Sequence, residues 1–116
     1  MHSVWDGSLL YTKCERSFNK DERKYAANFL HRLNTEPWKS KMQQWMKCRG
    51  GFNNCPNEWA NEVAKVSCQD AYANTRTGDV LLEPYYTSKI GIAEEMIARG
   101  GVRLALILNH VWPSTD

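Results

Sequence analysis

The sequence predicts an all-α fold, and three observations lead to this prediction. Apolar residues recur at three- and four-residue steps in most segments, which is the spacing of one face of a helix. Residues that begin or end helices, such as Pro37, Pro56 and Pro113, separate these segments. Alternation of apolar and polar residues, which would indicate strands, reaches no useful length in the 116 residues.

The predicted helices follow one another along the whole chain. Asn19 or Asp21 suits the start of the second helix, because short polar side chains accept hydrogen bonds from the first helical turn. The stretch from Cys48 to Cys55 contains Gly50 and Gly51 and therefore predicts a loop. We predict a first helix over Ser3–Lys13 and a second that ends at about Leu33. A third helix contains Trp38, Met42, Trp45 and Met46, a fourth begins at Pro56, and the last covers about Tyr85–Trp112.

The last predicted helix should have one buried face and one solvated face. Glu95, Arg99 and Arg103 follow at four-residue steps, and we expect them in solvent, with Glu95 paired to Arg99. The consecutive glycines Gly100 and Gly101 indicate either a close backbone contact or a kink. The predicted buried face consists of Ile90, Ala93, Ile97, Leu104, Leu108 and Val111.

Length and charge limit the classes of function. A chain of 116 residues allows one domain at most. The formal net charge of +2 arises from interspersed charges of both signs, so composition gives no support to electrostatic binding of nucleic acid. The sequence begins without the basic and apolar stretches of a signal peptide. No apolar run approaches the ~20 residues that span a bilayer, so we expect no transmembrane segment in this chain.

The four cysteines are compatible with an oxidising compartment. Cys14, Cys48, Cys55 and Cys68 form an even set in a short chain, which is compatible with disulfides. Their spacing does not suit a zinc knot, because no C-x-x-C pair occurs. A truncated secreted protein would account for both the cysteines and the missing signal peptide.

The stretch His2-Ser3-Val4-Trp5-Asp6 is the strongest candidate for chemistry. Its spacing places an imidazole and a carboxylate four residues apart, on the same side of a helix. A helix can offer these two groups to one Zn²⁺ ion as a nitrogen and an oxygen ligand. The spacing alone is a weak indication, because His and Asp fall four residues apart by chance very often.

This stretch resembles the Asn-Leu-His-x-x-Trp-Asp motif of S1/P1 nucleases. Other segments follow in the order found in that family: the Cys48–Cys55 loop with Pro56 after it, and the closing run Gly100-Gly101-Val102-Arg103-Leu104-Ala105. The resemblance spans essentially all 116 residues. It corresponds to the C-terminal part of a family chain, well under half of it, so residues 1–116 are interpreted as one part of a single domain whose N-terminal half is absent.

The resemblance implies a fold and a chemistry. Members have the helical fold shared by phospholipase C and P1 nuclease and hold three zinc ions. They hydrolyse single-stranded DNA and RNA to 5′-mononucleotides, and many also remove the phosphate of 3′-nucleotides. By resemblance, His2 and Asp6 are ligands of one zinc ion and Trp5 packs behind them. Cys48 and Cys55 correspond to a local disulfide.

The resemblance also implies what this chain lacks. The family's N-terminal Trp and its other His and Asp ligands have no counterpart here, so at most a partial zinc site is expected. We therefore expect the 116-residue chain to be inactive by itself. Cys68 resembles a cysteine that pairs with the absent half, and the parent protein is expected to be secreted or at the cell surface.

Two other hypotheses remain open at this stage. The chain could be a small disulfide-bonded helical binding module without catalysis, which would require Cys14 to pair with Cys68. It could also bury its apolar helix faces between copies as a homo-oligomer. Substrate and base preference, and whether Met1 is natural, are not determined by the sequence.

Overall fold

The computed structural model describes residues 1–115, which form helices and loops without a β-strand. The predicted all-α fold is confirmed. Among the helices of residues 1–115, none has both the length and the apolar character needed to cross a membrane. The elements are a first π-helix (Val4–Ser8), α1 (Leu9–Phe18), α2 (Glu22–Leu33), α3 (Trp38–Trp45), a 3₁₀ turn (Phe52–Asn54), α4 (Cys55–Val66), a second π-helix (Ser67–Ala71) and α5 (Glu83–Val111).

The N-terminal helical segment is longer than predicted. The prediction ended it at Lys13, whereas α1 continues to Phe18. Cys14 is buried in α1, and Phe18 follows it by four residues, so the apolar spacing extends one turn further than the aliphatic residues indicated. The helix ends where Asn19 and Lys20 adopt left-handed conformations, with φ of 50° and 64°.

The starts of the next helices agree with the prediction. The Asp21 carboxylate accepts hydrogen bonds from the backbone N–H groups of Arg23 and Lys24, both at 3.1 Å, and so caps α2. Pro37 immediately precedes α3. Pro56 lies in the first turn of α4, where its missing N–H costs no helical hydrogen bond.

The core lies between α2, α3 and α5. Trp38 and Trp45 of α3 pack against Ala98 and Val102 of α5, and all four residues are buried. Phe29 of α2 extends this cluster, with its ring centroid 5.7 Å from that of Trp38. The small side chains of α5 leave room for the two indoles, so α3 and α5 pack closely.

The predicted buried face of α5 is wrong for its C-terminal half. Ala93 is 3% exposed, but Ile97, Leu104, Leu108 and Val111 are 52%, 56%, 43% and 54% exposed. Ile97 lines a cleft together with side chains of α1 and α2. C-terminal to Ile97, no element of residues 1–115 covers the predicted buried face. We call these four exposed residues the bare face of α5.

Gly100 and Gly101 lie beside the bare face. The prediction was that they permit close backbone contact or mark a kink. Both are helical within the uninterrupted α5. Apart from the adjacent residues and the surrounding α5 backbone, no atom of residues 1–115 comes within 4 Å of a β-carbon placed on either glycine. The close contact is therefore not made inside the described part of the chain.

The prediction that Glu95, Arg99 and Arg103 lie in solvent is also wrong. Arg103 is buried, and its Nε donates to the backbone carbonyl of Trp45 at 3.0 Å. Its Nη2 donates to Glu62 of α4 at 2.5 Å, and Arg99 also pairs with Glu62. The predicted pair of Glu95 and Arg99 is present at 2.9 Å. Because α4 supplies Glu62, the arginines face a neighbouring helix and not water.

A disulfide loop contacts the far end of α5. Cys48 and Cys55 are joined by a disulfide, as the family resemblance implied. The Phe52 ring between them stacks on the His110 ring with a centroid separation of 3.9 Å. This loop therefore packs on α5 near its C-terminal end.

Candidate metal centre

The structure brings the two sequence-predicted metal ligands together. His2 Nε2 lies 2.9 Å from Asp6 Oδ2. The first π-helix spans Val4–Ser8, so the segment between the ligands is wider than an α-helix. Single π-turns within helices occur frequently at functional sites.

Both groups of the pair are open to solvent. The side chain of His2 is 89% exposed and that of Asp6 is 64% exposed. An exposed contact of this kind contributes little to stability, because water screens it. Its nitrogen and oxygen atoms remain accessible to a ligand from outside.

The donor atoms of His2 and Asp6 suit zinc. An imidazole nitrogen and a carboxylate oxygen are typical Zn²⁺ ligands, and a protein zinc site has about four coordination positions. Among residues 1–115, no group of three or more His, Cys, Asp or Glu side chains could hold a metal ion. The pair therefore fits a part of a zinc site, and the described chain offers no third side-chain ligand.

A largely apolar cleft of about 320 Å³ adjoins the pair. His2 and Asp6 line it together with Val63, Tyr72 and Met96. The two candidate ligands therefore lie at the edge of an apolar cleft.

Trp5 lies between the two candidate ligands in sequence and points into the protein. It is half-buried, and its Nε1–H donates to the Tyr85 hydroxyl at 2.7 Å. The Tyr85 hydroxyl donates in turn to the Ala71 carbonyl at 2.7 Å. The sequence placed Tyr85 only at the start of the last predicted helix and gave no indication of this contact, because the two aromatic residues are 80 positions apart.

An ion pair joins α1 to the start of α5 close to this site. Arg16 donates to both carboxylate oxygens of Glu83, at 2.5 and 3.0 Å. The hydrogen bond from Arg16 lowers the pKa of Glu83 below its usual value. The Arg16 guanidinium also lies over the Tyr86 ring, 4.8 Å from its centroid. These contacts fix α1, the helix that follows the candidate ligands, relative to α5.

The remaining cysteines do not form the second disulfide that the binding-module hypothesis requires. Within residues 1–115, Cys14 and Cys68 are free, the first buried and the second exposed. Burial raises the pKa of the Cys14 thiol, and the carboxylates of Glu22 and Asp21 raise it further. Cys14 is therefore shielded, whereas Cys68 is accessible to a partner.

Comparison with known proteins assigns the chain to a family. The sequence profile of the family described as S1/P1 Nuclease matches residues 1–113. The chain belongs to the S1/P1 nuclease family. The helical fold of residues 1–115 is therefore part of the fold of that family.

Similar proteins occur in Arabidopsis thaliana. Endonuclease 4 is 31% identical over 114 residues, which cover 98% of this chain and 38% of the relative. Endonuclease 1 is 29% identical over 112 residues, which cover 97% of this chain and 36% of the relative. The chain thus spans less than two fifths of the length of the curated relatives that it matches.

Proposed function

We propose that this chain is the C-terminal part of a zinc-dependent S1/P1 nuclease, acting on single-stranded DNA and RNA to give 5′-mononucleotides. The resemblance also allows removal of the phosphate from 3′-nucleotides. The observation that carries the proposal is the pairing of His2 Nε2 with Asp6 Oδ2 at 2.9 Å, in a chain whose family is named for nucleases.

His2 and Asp6 have distinct parts in this proposal. To bind a cation, His2 would offer the lone pair of Nε2 in place of the proton shared with Asp6, and Asp6 would offer a negatively charged oxygen, so that together they orient one cation. Zinc, when bound, supplies a Lewis acid that polarises phosphoryl oxygens. The solvent exposure of both side chains leaves the outer side of the pair accessible to further ligands and to substrate.

The remaining ligands belong, in this proposal, to an N-terminal half of the domain. The relatives are longer than this chain, which covers only 36% to 38% of their length. The bare face of α5 is suited to contact an apolar surface of another segment, because four large apolar side chains lie exposed along one helix face. We assign that face to the N-terminal half, which would cover it.

The disulfide supports an extracellular setting for the parent protein. Bonds such as Cys48–Cys55 form and persist in oxidising compartments. A secreted or cell-surface parent is consistent with this bond. Exposed Cys68 is available to pair with a cysteine of the N-terminal half.

Zinc binding tests the proposal directly. Calorimetric titration of the 116-residue chain should detect a Zn²⁺ site, and its affinity should fall at least about tenfold in both His2→Ala and Asp6→Ala, because each change removes a ligand. His31→Ala is the matched control, since His31 is also exposed but does not line the cleft beside the pair. Equal affinity in the wild type and in His2→Ala would contradict the proposed site.

Catalysis by the isolated chain is a separate test. Two side-chain ligands do not complete a zinc cluster, so the purified 116-residue chain should release no nucleotides from denatured DNA in the presence of Zn²⁺. Release that exceeds the His2→Ala background would contradict the proposal that the other ligands are required.

A further inference from the structure

The Tyr85 hydroxyl joins two segments that each contain a π-helix. On one side it accepts a hydrogen bond from Trp5 Nε1 at 2.7 Å, and Trp5 lies in the first π-helix. On the other side it donates to the carbonyl of Ala71, the last residue of the second π-helix, at 2.7 Å. Met1 Sδ lies 3.3 Å from the same hydroxyl, but a thioether is a weak acceptor.

A tyrosine hydroxyl matches both of its partners. The indole N–H of Trp5 can only donate, so it requires an acceptor. The carbonyl of Ala71 is at the end of a helix, where the last carbonyls lack partners in the next turn and require a donor. One phenolic O–H supplies both functions, and a phenylalanine ring at position 85 would supply neither.

Tyr85 is itself held in a fixed position. It lies in the first turn of α5, directly after Pro84, and its backbone N–H donates to the Leu82 carbonyl at 3.0 Å. The neighbouring Glu83 is paired with Arg16 of α1. The hydroxyl is therefore presented from a helix that the core holds in place.

The contact with Tyr85 acts on the turn that carries both candidate ligands. Trp5 precedes Asp6 directly and follows His2 by three residues. His2 and Asp6 are exposed, so their own contacts with solvent do not fix this turn. The Trp5 indole is the part of the turn with a hydrogen bond to a distant element.

We propose that Tyr85 is a positioning residue for the metal-binding turn. Its hydroxyl holds the Trp5 indole against the end of the second π-helix and thereby keeps His2 and Asp6 directed at a common point. This inference rests on the proposed function, because it requires that His2 and Asp6 bind zinc. In this proposal Tyr85 is not a metal ligand and acts through Trp5.

The test compares Tyr85→Phe, Trp5→Phe and the double variant in Zn²⁺ titrations of the 116-residue chain. Removing the hydroxyl should weaken zinc affinity by about tenfold, the lower end of the loss seen when residues supporting metal ligands are removed. Because both residues act through one hydrogen bond, the double variant should lose no more affinity than the more affected single variant.

A structural control separates positioning from general destabilisation. Tyr25→Phe also removes one tyrosine hydroxyl, which donates to buried Glu94 at 2.8 Å in the core. It should lower the unfolding temperature and leave zinc affinity unchanged. In metal-free ¹⁵N-labelled protein, the Trp5 indole N–H resonance, assigned through Trp5→Phe, should shift in Tyr85→Phe and stay in place in Tyr25→Phe.

The outcomes distinguish failure of this inference from failure of the proposed function. If the wild type binds zinc through His2, and Tyr85→Phe binds it equally well, the positioning role is wrong and the metal site stands. If affinity falls equally in Tyr25→Phe, the effect is one of stability and the positioning role is again wrong. If His2→Ala binds zinc as the wild type does, the proposed metal site fails, and a supporting role for Tyr85 fails with it.

Discussion

Two faces of α5 carry apolar side chains, but only one of them is covered. On the covered face, Ala98 and Val102 pack beneath the indoles of Trp38 and Trp45. On the bare face, larger side chains such as Leu104 remain about half exposed. The smaller apolar side chains of α5 are therefore buried and the larger ones exposed. The reverse would be expected if residues 1–115 formed all the contacts of this helix.

The difference shows which contacts the chain can make by itself. Small side chains on the covered face allow the large rings of α3 to approach, so this interface is complete within residues 1–115. The bare face presents large aliphatic side chains, the kind that mark a site of interaction when they lie together. Folding of residues 1–115 thus forms one interface of α5 and leaves the bare face exposed, where our proposal places the N-terminal half of the domain.

The largest expected effect is on the covered face. Trp45→Ala should lower the free energy of unfolding by about 3–5 kcal/mol, because it removes a buried ring and leaves a cavity against α5. Urea unfolding monitored by circular dichroism measures the change. A loss below about 1 kcal/mol would mean that α3 does not form a packed interface with α5 in solution.

A smaller effect should appear at alkaline pH, also on the covered side. Burial and the hydrogen bond to Glu94 raise the pKa of Tyr25 in the folded chain. Below the unfolded-state pKa of about 10, both states are protonated and the contribution of Tyr25 to stability is fully present. Above it only the unfolded state ionises, so stability should fall by about 1.4 kcal/mol per pH unit from this group.

Tyr25→Phe isolates that contribution. Other groups titrate above pH 10 in both proteins, so the difference between wild type and variant reports on Tyr25. Urea unfolding at several pH values from about 9 to 11 should give the wild type the steeper decline. Parallel declines would show that the Tyr25 hydroxyl is not buried against Glu94.

The smallest effect is expected on the bare face. Leu104→Ala should change the free energy of unfolding by no more than about 0.5 kcal/mol, because the residue is about half exposed to water and is not part of the buried core. The same urea titrations measure it, beside Trp45→Ala. A loss above about 1.5 kcal/mol would show that the face is covered in solution. Light scattering would then show whether a second copy of the chain covers it.

The local features of this fold could be predicted from the sequence. The Asp21 cap, Pro56 at the start of α4 and the spacing of His2 and Asp6 depend only on residues a few positions apart. The α3 face with Trp38 and Trp45 follows from helical periodicity in the same way. Whether His2 and Asp6 bind zinc stays a prediction.

The remaining features depend on contacts between distant segments. Arg103 belongs to a run of charges that periodicity assigns to solvent, but Glu62 and the Trp45 carbonyl surround it. Tyr85 reaches Trp5 across 80 positions. Periodicity identifies the faces of a helix, but it does not identify which element packs on each face.

X-ray absorption spectroscopy of the 116-residue chain with one equivalent of Zn²⁺ tests the central claim most directly. The claim predicts one imidazole nitrogen per zinc at about 2.0–2.1 Å, with oxygen in the other positions, and loss of the imidazole signal in His2→Ala. Sulfur at about 2.3 Å would assign the zinc to a cysteine, with exposed Cys68 the accessible one. That result, or an imidazole signal that persists in His2→Ala, would contradict a metal site formed by His2 and Asp6.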